Sequence, residues 1–279
     1  MSEPSILHHT RVHAPGVTPS GWMLLLHGVF GMGTNFRSFA QKLAERVPSW
    51  GFVLVDLRGH GQSQGLPAPH DLDATAADLD RLVDALGLEV RGIAGHSFGG
   101  KVSLNWLGKR PGRVSHAIVL DSMPGARPRD AEVDGASRVL LALEAMPPSL
   151  PSREDFRARL EAQGFSSAII DWLAMNLRRH GDGLALRLDL PAIRSMLLDY
   201  YARDLWPLLD DPALAQHVLL VIGGASTVFP PEARVRAERA KEQNPGLQLA
   251  VLEGAGHWVH VDAPEALLGA MASFLAEPA

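Results

Sequence analysis

Val90-Arg91-Gly92-Ile93-Ala94-Gly95-His96-Ser97-Phe98-Gly99-Gly100-Lys101, continuing through Lys109, is the most informative stretch of the chain. Val90 to Ala94 is an apolar run of strand length, and Gly99 to Lys109 has the length and composition of a helix. Between them Gly95-His96-Ser97-Phe98-Gly99 has the form G-x-S-x-G. A very tight strand-to-helix turn needs small residues two positions either side of its centre. Neighbouring backbone must come close there, and the central serine must take a strained conformation. Such a turn lifts Oγ to a helix N-terminus, which favours negative charge. The pentapeptide is short; the strand before it and the helix after it give it meaning.

Working outward, the same alternation recurs. Strands are predicted over Ile6 to Val12, Trp22 to Leu26, Phe52 to Val55, Ala117 to Leu120, Val218 to Ile222 and Leu247 to Leu252. Several of these lack polar alternation, as expected for strands covered on both faces. Helical stretches lie between them: Asn35 to Arg46, Ala74 to Leu86, Pro231 to Gln243 and Pro264 to Leu275. The last two open on proline, whose missing N–H is no loss in a first turn. Strand and helix in alternation predict an α/β protein with a mostly parallel twisted sheet and helices on both faces.

The rhythm breaks once, over 124–211, where Val139 to Met146, Phe156 to Gln163 and Ser167 to Leu177 read as helices and no buried strand is evident. The stretch is too long for a loop. It is expected to be a helical insertion, a cap, over a core formed by 1–123 and 212–279.

A serine hydroxyl needs a base to become a useful nucleophile. His257, in Gly254-Ala255-Gly256-His257-Trp258, follows the last predicted strand at the carboxyl edge, where open α/β sheets place ligands. His217 precedes its strand, so it belongs to the opposite edge; His180 lies in the insertion, and His260 leads into the last helix. His257 is therefore the expected base. Asp121 ends the strand Ala117 to Leu120 and could fix the His257 tautomer, or could be a turn aspartate. Asp56 also ends a strand, but Asp56-Leu57-Arg58-Gly59-His60-Gly61 reads as a bracing loop. After His27-Gly28, the Val29 N–H is placed to join that of Phe98 as an oxyanion hole. Phe30 and Trp258 are candidate pocket residues, and Lys101 is expected on a helix surface.

Composition narrows the classes of function. The 279 residues are 46% hydrophobic and 20% charged, values typical of a globular protein. A net charge of −5 without a basic stripe argues against nucleic acid as a partner. The absence of cysteine removes thiolate catalysis and disulfides, and fits a cytoplasmic setting. No apolar run approaches the ~20 residues of a membrane span. No phosphate loop or cysteine-ligated metal motif is present, so no cofactor or metal is expected. The partner is expected to be a small-molecule substrate, and the protein a monomer or homodimer.

Leu26-His27-Gly28, the Asp56 to Gly61 run, Gly95 to Lys101 and Gly254 to His260 together resemble the α/β-hydrolase superfamily, and more narrowly the small bacterial YbfF-type esterases. The resemblance runs from about Leu24 to Leu275 and implies cofactor-free cleavage of short- to medium-chain acyl esters through an acyl-enzyme. It assigns Ser97 as nucleophile, His257 as base, and Val29 and Phe98 as oxyanion donors. In most such hydrolases the acid follows the next-to-last strand as Gly-x-x-Asp. Here the loop is Gly223-Gly224-Ala225-Ser226. The resemblance then implies Asp121 as the acid, as in YbfF-like members, with Ser226 as an auxiliary hydrogen-bond donor. Thioesterase, lactonase, C–C hydrolase and perhydrolase activities, or a ligand-binding receptor, are the alternatives on the same scaffold.

Overall fold

The computed structural model describes residues 6–127 and 135–276. In chain order the elements are β1 (His9–Val12), β2 (Gly21–Leu26), a one-turn 3-10 helix (Gly33–Phe36), α1 (Arg37–Arg46), β3 (Trp50–Val55), α2 (Leu72–Leu86), β4 (Val90–His96), α3 (Phe98–Lys109) and β5 (His116–Leu120). They continue with α4 (Gly135–Glu144), α5 (Arg153–Glu161), α6 (Ser167–Ala174), β6 (Leu177–His180), β7 (Gly183–Leu186), α7 (Leu190–Ala202) and α8 (Trp206–Asp210). The chain closes with β8 (His217–Gly223), α9 (Pro231–Gln243), β9 (Leu247–Leu252), α10 (Val259–Asp262) and α11 (Pro264–Leu275).

Seven strands form one sheet in the order β1-β3-β2-β4-β5-β8-β9. Only β1, at the edge, runs antiparallel to its neighbour. The period-2 geometry of the strands divides their side chains between two cores. Leu24, Val53, Val119 and Leu220 face one layer, which also holds Leu79 of α2, Val102 of α3 and Ala237 of α9. Met23, Leu25, Phe52, Ile118 and Val221 face the other, with Leu43 of α1 and Met271 of α11. This is the predicted parallel sheet with helices on both faces. Both prolines open their helices as expected, and α2 is capped by Asp71, whose side chain accepts from Ala74 N–H, and closed by left-handed Gly87.

Among the described residues between β5 and β8 the regular elements are helices, with one departure. β6 and β7 form an antiparallel hairpin through the two-residue turn Gly181-Asp182. Its strands are short and lie mostly at the surface, so they carry no buried apolar run; the Gly-Asp turn was the available signal. Residues 128–134, at the start of the predicted insertion, lie outside the described residues. The segment is fastened to the layer below through α7: Thr75 Oγ meets Met196 Sδ (3.6 Å), Leu72 N–H donates to Asp199 (2.9 Å), and Arg203 to Asp73 (3.0 Å).

Candidate active site

Ser97 sits between β4 and α3 with φ 52° and ψ −118°, outside the regions open to an unstrained L-residue. The flanking glycines explain how that turn closes. A Cβ on Gly95 would lie 2.1 Å from Gly99 O, and one on Gly99 would lie 2.6 Å from His27 O. Any side chain at either position would hold the elbow open. Ser97 N–H donates to Leu120 O (2.9 Å), tying the elbow to the end of β5.

At that end Asp121 is fully buried and also has positive φ (42°). Its carboxylate accepts three hydrogen bonds: from Gly223 N–H to Oδ1 (2.9 Å), and from Ser226 Oγ (2.5 Å) and His257 Nδ1 (2.7 Å) to Oδ2. Since a carboxylate only accepts, the proton of neutral His257 is on Nδ1, leaving Nε2 free to accept from Ser97 Oγ at 3.0 Å. The ends of β4, β5 and β9 thus bring Ser97, Asp121 and His257 into one hydrogen-bonded chain, and the loop after β8 adds Ser226. Arg234 of α9 secures that loop by donating to Gly223 O (3.0 Å) and Ser226 O (3.3 Å), a support the sequence did not single out.

The loop after β2 supplies the opposite wall. Phe30, again at positive φ (63°), donates its N–H to His60 Nε2 (3.2 Å), and Gly31 N–H donates to Gly28 O (3.0 Å). The intervening Val29 N–H and the Phe98 N–H have no acceptor among the described residues. One of these two free donors directly follows Ser97 in the chain, and the other follows Gly28, where a Cβ would lie 3.4 Å from Ser97 Cβ. His60 can accept because its Nδ1–H is committed to Arg58 O (2.9 Å). Burial, with His27 close by, pushes its pKa down to about 3, so it is neutral at any working pH. His27 is likewise lowered by burial; it accepts from Leu57 N–H (3.0 Å) and donates from Nδ1 to Gly28 O (2.7 Å).

Asp56 takes no part in the serine–histidine chain. It accepts from Gly33 N–H (2.8 Å) and Gln62 N–H (3.0 Å), bracing the two loops as expected. The next basic residue, Arg58, forms a buried two-point ion pair with Asp78 of α2 (2.7 and 3.1 Å). His260 lies in α10 with its ring against Phe36 (4.5 Å between centroids), and burial lowers its pKa to about 4. His217 begins β8, opposite His116 at the other edge of the sheet.

Residues 21–264 match the α/β hydrolase fold family. The chain belongs to that family. Among curated relatives of this α/β hydrolase is the sn-1-specific diacylglycerol lipase of Mus musculus, 30% identical over 261 residues, covering 91% of this chain and 80% of the relative. Esterase YbfF of Escherichia coli is 27% identical over 254 residues, covering 91% of this chain and 92% of that one. Among solved structures, a marine microorganism esterase superposes with a TM-score of 0.82 at 24% identity, over 96% of this chain and 99% of that chain, a likeness of fold.

The two pocket candidates, Phe30 and Trp258, are joined through a third side chain. Trp172 of α6 lies against both Trp258 (5.4 Å) and Phe30 (6.4 Å), and Asn176 donates to Phe30 O (2.8 Å). Phe30 is itself buried in the main core, while Trp258 is partly exposed.

Lys101 corrects an expectation. It is fully buried rather than on a helix surface, because α3 is enclosed on every side from Phe98 to Leu107. Its ammonium donates to Gly125 O (2.8 Å) and Tyr200 O (2.7 Å), bonding the helix that follows Ser97 to both the start of the segment after β5 and α7. Desolvation first, then the charge of Arg127, lower its pKa to about 7.

Among the described residues no helix is long and apolar enough to cross a membrane.

Proposed function

We propose that the protein is a serine carboxylesterase that cleaves short- to medium-chain acyl esters through a Ser97–His257–Asp121 triad. One observation carries the reading: Ser97 Oγ, His257 and Asp121 form a continuous hydrogen-bonded chain, 3.0 and 2.7 Å, at the carboxyl ends of parallel strands. The esterase and lipase names of the relatives agree with it.

As Ser97 Oγ attacks the ester carbonyl carbon, its proton passes to His257 Nε2. The new imidazolium keeps its Nδ1–H bond to Asp121, whose negative charge stabilises it. The carbonyl oxygen becomes an oxyanion and accepts from the free N–H groups of Val29 and Phe98, each such donor being worth ~3–4 kcal/mol in the transition state. His257 then protonates the departing alkoxide, leaving an acyl ester on Ser97. Water gives a proton to His257 and its hydroxide adds to the acyl carbon. Collapse releases the carboxylic acid and returns the proton to Ser97. Ser226 donates to the same Asp121 oxygen as His257 and helps hold the carboxylate toward it. No cofactor or metal enters any step.

We assign 124–211 to a cap that covers the core formed by 1–123 and 212–279, with Trp172, Trp258 and Phe30 near the acyl group. Hydrolysis of p-nitrophenyl esters from acetate to laurate, by wild type and Ser97→Ala side by side, tests the assignment. Multiple turnovers lost in the variant are expected; a wild type without turnover on the whole series would sink it.

A further inference from the structure

Of the two residues that flank Ser97, Phe98 has a place in the proposed mechanism and His96 has none. His96 is nonetheless the point at which the loops around the site meet. It ends β4 and is buried, 4% exposed. Its Nε2–H donates to the backbone carbonyl of His257 (2.8 Å), and its ring lies against the His257 ring, 4.7 Å between centroids with a 37° tilt. On another side it approaches the His260 ring (5.1 Å). A Cβ on Gly28 would sit 3.0 Å from His96 Nδ1, so the loop carrying Val29 packs directly on the same imidazole. Elbow, base loop and oxyanion loop therefore share one side chain.

We propose that His96 is a positioning residue that sets the reach of His257 to Ser97 by holding the base loop through its Nε2–H bond to the His257 carbonyl. The inference rests on the reading of Ser97 and His257 as nucleophile and base. The geometry explains why the contact matters for rate rather than stability alone. The base is joined to the elbow twice: by its own Nε2 to Ser97 Oγ (3.0 Å) and by its carbonyl to the residue directly before Ser97. The first link is broken and remade in each half-reaction, whereas the second lasts through the cycle. The loop is anchored on both sides of His257, by Ala225 N–H to Ala255 O (2.9 Å) and Gly256 N–H to Asp262 (2.9 Å) before it and by Val261 N–H to Trp258 O (2.7 Å) after it, while the described partner of its own carbonyl is His96. For this bond His96 must carry its proton on Nε2 and remain neutral, so that a second cation does not oppose the charge forming on His257. Burial, together with His257, His260 and His27 nearby, holds it well below the ordinary imidazole range.

His96→Leu and His96→Gln, compared with wild type, test the proposal, because the glutamine amide nitrogen can take the place of Nε2 as a donor. Rates are to be expressed per active site, titrated by fluorophosphonate labelling of Ser97, so that loss of folded protein does not count as loss of rate. His96→Leu is expected to lower kcat by about 10- to 100-fold, the scale of a ~1 Å misplacement, with KM nearly unchanged. The acid limb of its kcat/KM profile should also move. His96→Gln should restore most of the rate and return the acid limb to its wild-type position. Wild-type kcat and pH profile in His96→Leu would overturn the proposal, as would a His96→Gln enzyme no better than His96→Leu. If neither variant folds, imidazole nitrogen NMR of the wild type decides, with an Nε2–H tautomer at His96 expected and an Nδ1–H tautomer overturning the bond. A wild type that neither turns over ester nor labels at Ser97 removes the esterase reading and this proposal together; a working wild type with an indifferent His96→Leu removes only this one.

Discussion

The carboxyl edge of the sheet and the helical segment between β5 and β8 are built on opposite terms. At the edge, backbone geometry dominates. Phe30, Ser97 and Asp121 are the non-glycine residues with positive φ among those described, and all three border the site. Strain of this kind costs on the order of 1–3 kcal/mol per residue and persists only where the surroundings enforce it. Here they do: each of the three is tied by a backbone hydrogen bond to a neighbouring loop or strand. In the segment, apolar burial dominates instead. Phe156, Leu160, Ile170 and Leu173 are fully buried between helices whose caps, Ser152 and Ser166, are ordinary. The edge fixes atoms to within a hydrogen bond, while the segment fixes only which surfaces meet.

If that contrast holds, substitutions at the two places fail differently. Ser97→Ala or His257→Ala should lower kcat by up to ~10⁶ with little change in unfolding free energy, measured as ester turnover beside a urea titration. A residual rate within a hundredfold of wild type would mean that the chemistry lies elsewhere. Phe156→Ala should show the reverse pattern. Emptying that buried site should cost about 3–5 kcal/mol in the same titration, with kcat per titrated active site near that of wild type.

Lys101 joins the two regions, and its variant should be the subtlest. Between its folded value of about 7 and the unfolded 10.5, the unfolded chain binds a proton that the folded protein does not. Stability therefore rises with pH through that window, by up to about 1.4 kcal/mol per pH unit. Lys101→Met removes this term. The difference in unfolding free energy, wild type minus variant, should grow from pH 7 toward pH 10 in parallel denaturant titrations. A flat difference would mean that Lys101 keeps its proton throughout.

The same contrast governs what could be read from the chain. Ser97 and His257 were legible because their glycine neighbours mark the turns that present them. Asp121 was legible as a carboxylate closing a strand, and the serine at Ser226 in place of an acid strengthened that choice. The positive φ of Phe30 and Asp121 was not legible, since a glycine advertises that conformation and neither position has one. Lys101 was misplaced because a lysine in a helix normally marks its solvent face, and nothing local reveals that α3 has no such face. His96 reads simply as the variable residue of G-x-S-x-G until β9 and its loop fold back to place the His257 carbonyl on it. In the segment α4, α5 and α6 were legible from apolar spacing, but not α7 and α8, the hairpin of β6 and β7 or the meeting of Trp172 with Trp258. The hairpin is local, but its short exposed strands carry no apolar run, and the tryptophan pair joins residues far apart in sequence.

The position of the acid is the central claim, and kcat/KM of Asp121→Asn on p-nitrophenyl butyrate tests it most directly, with Ser226→Asp added in the same background. Asparagine keeps the shape of Asp121 but not its charge, so a loss of roughly 10⁴ is predicted, partly recovered when a carboxylate is returned at Ser226. An Asp121→Asn enzyme within tenfold of wild type would contradict the account and place the acid at another residue.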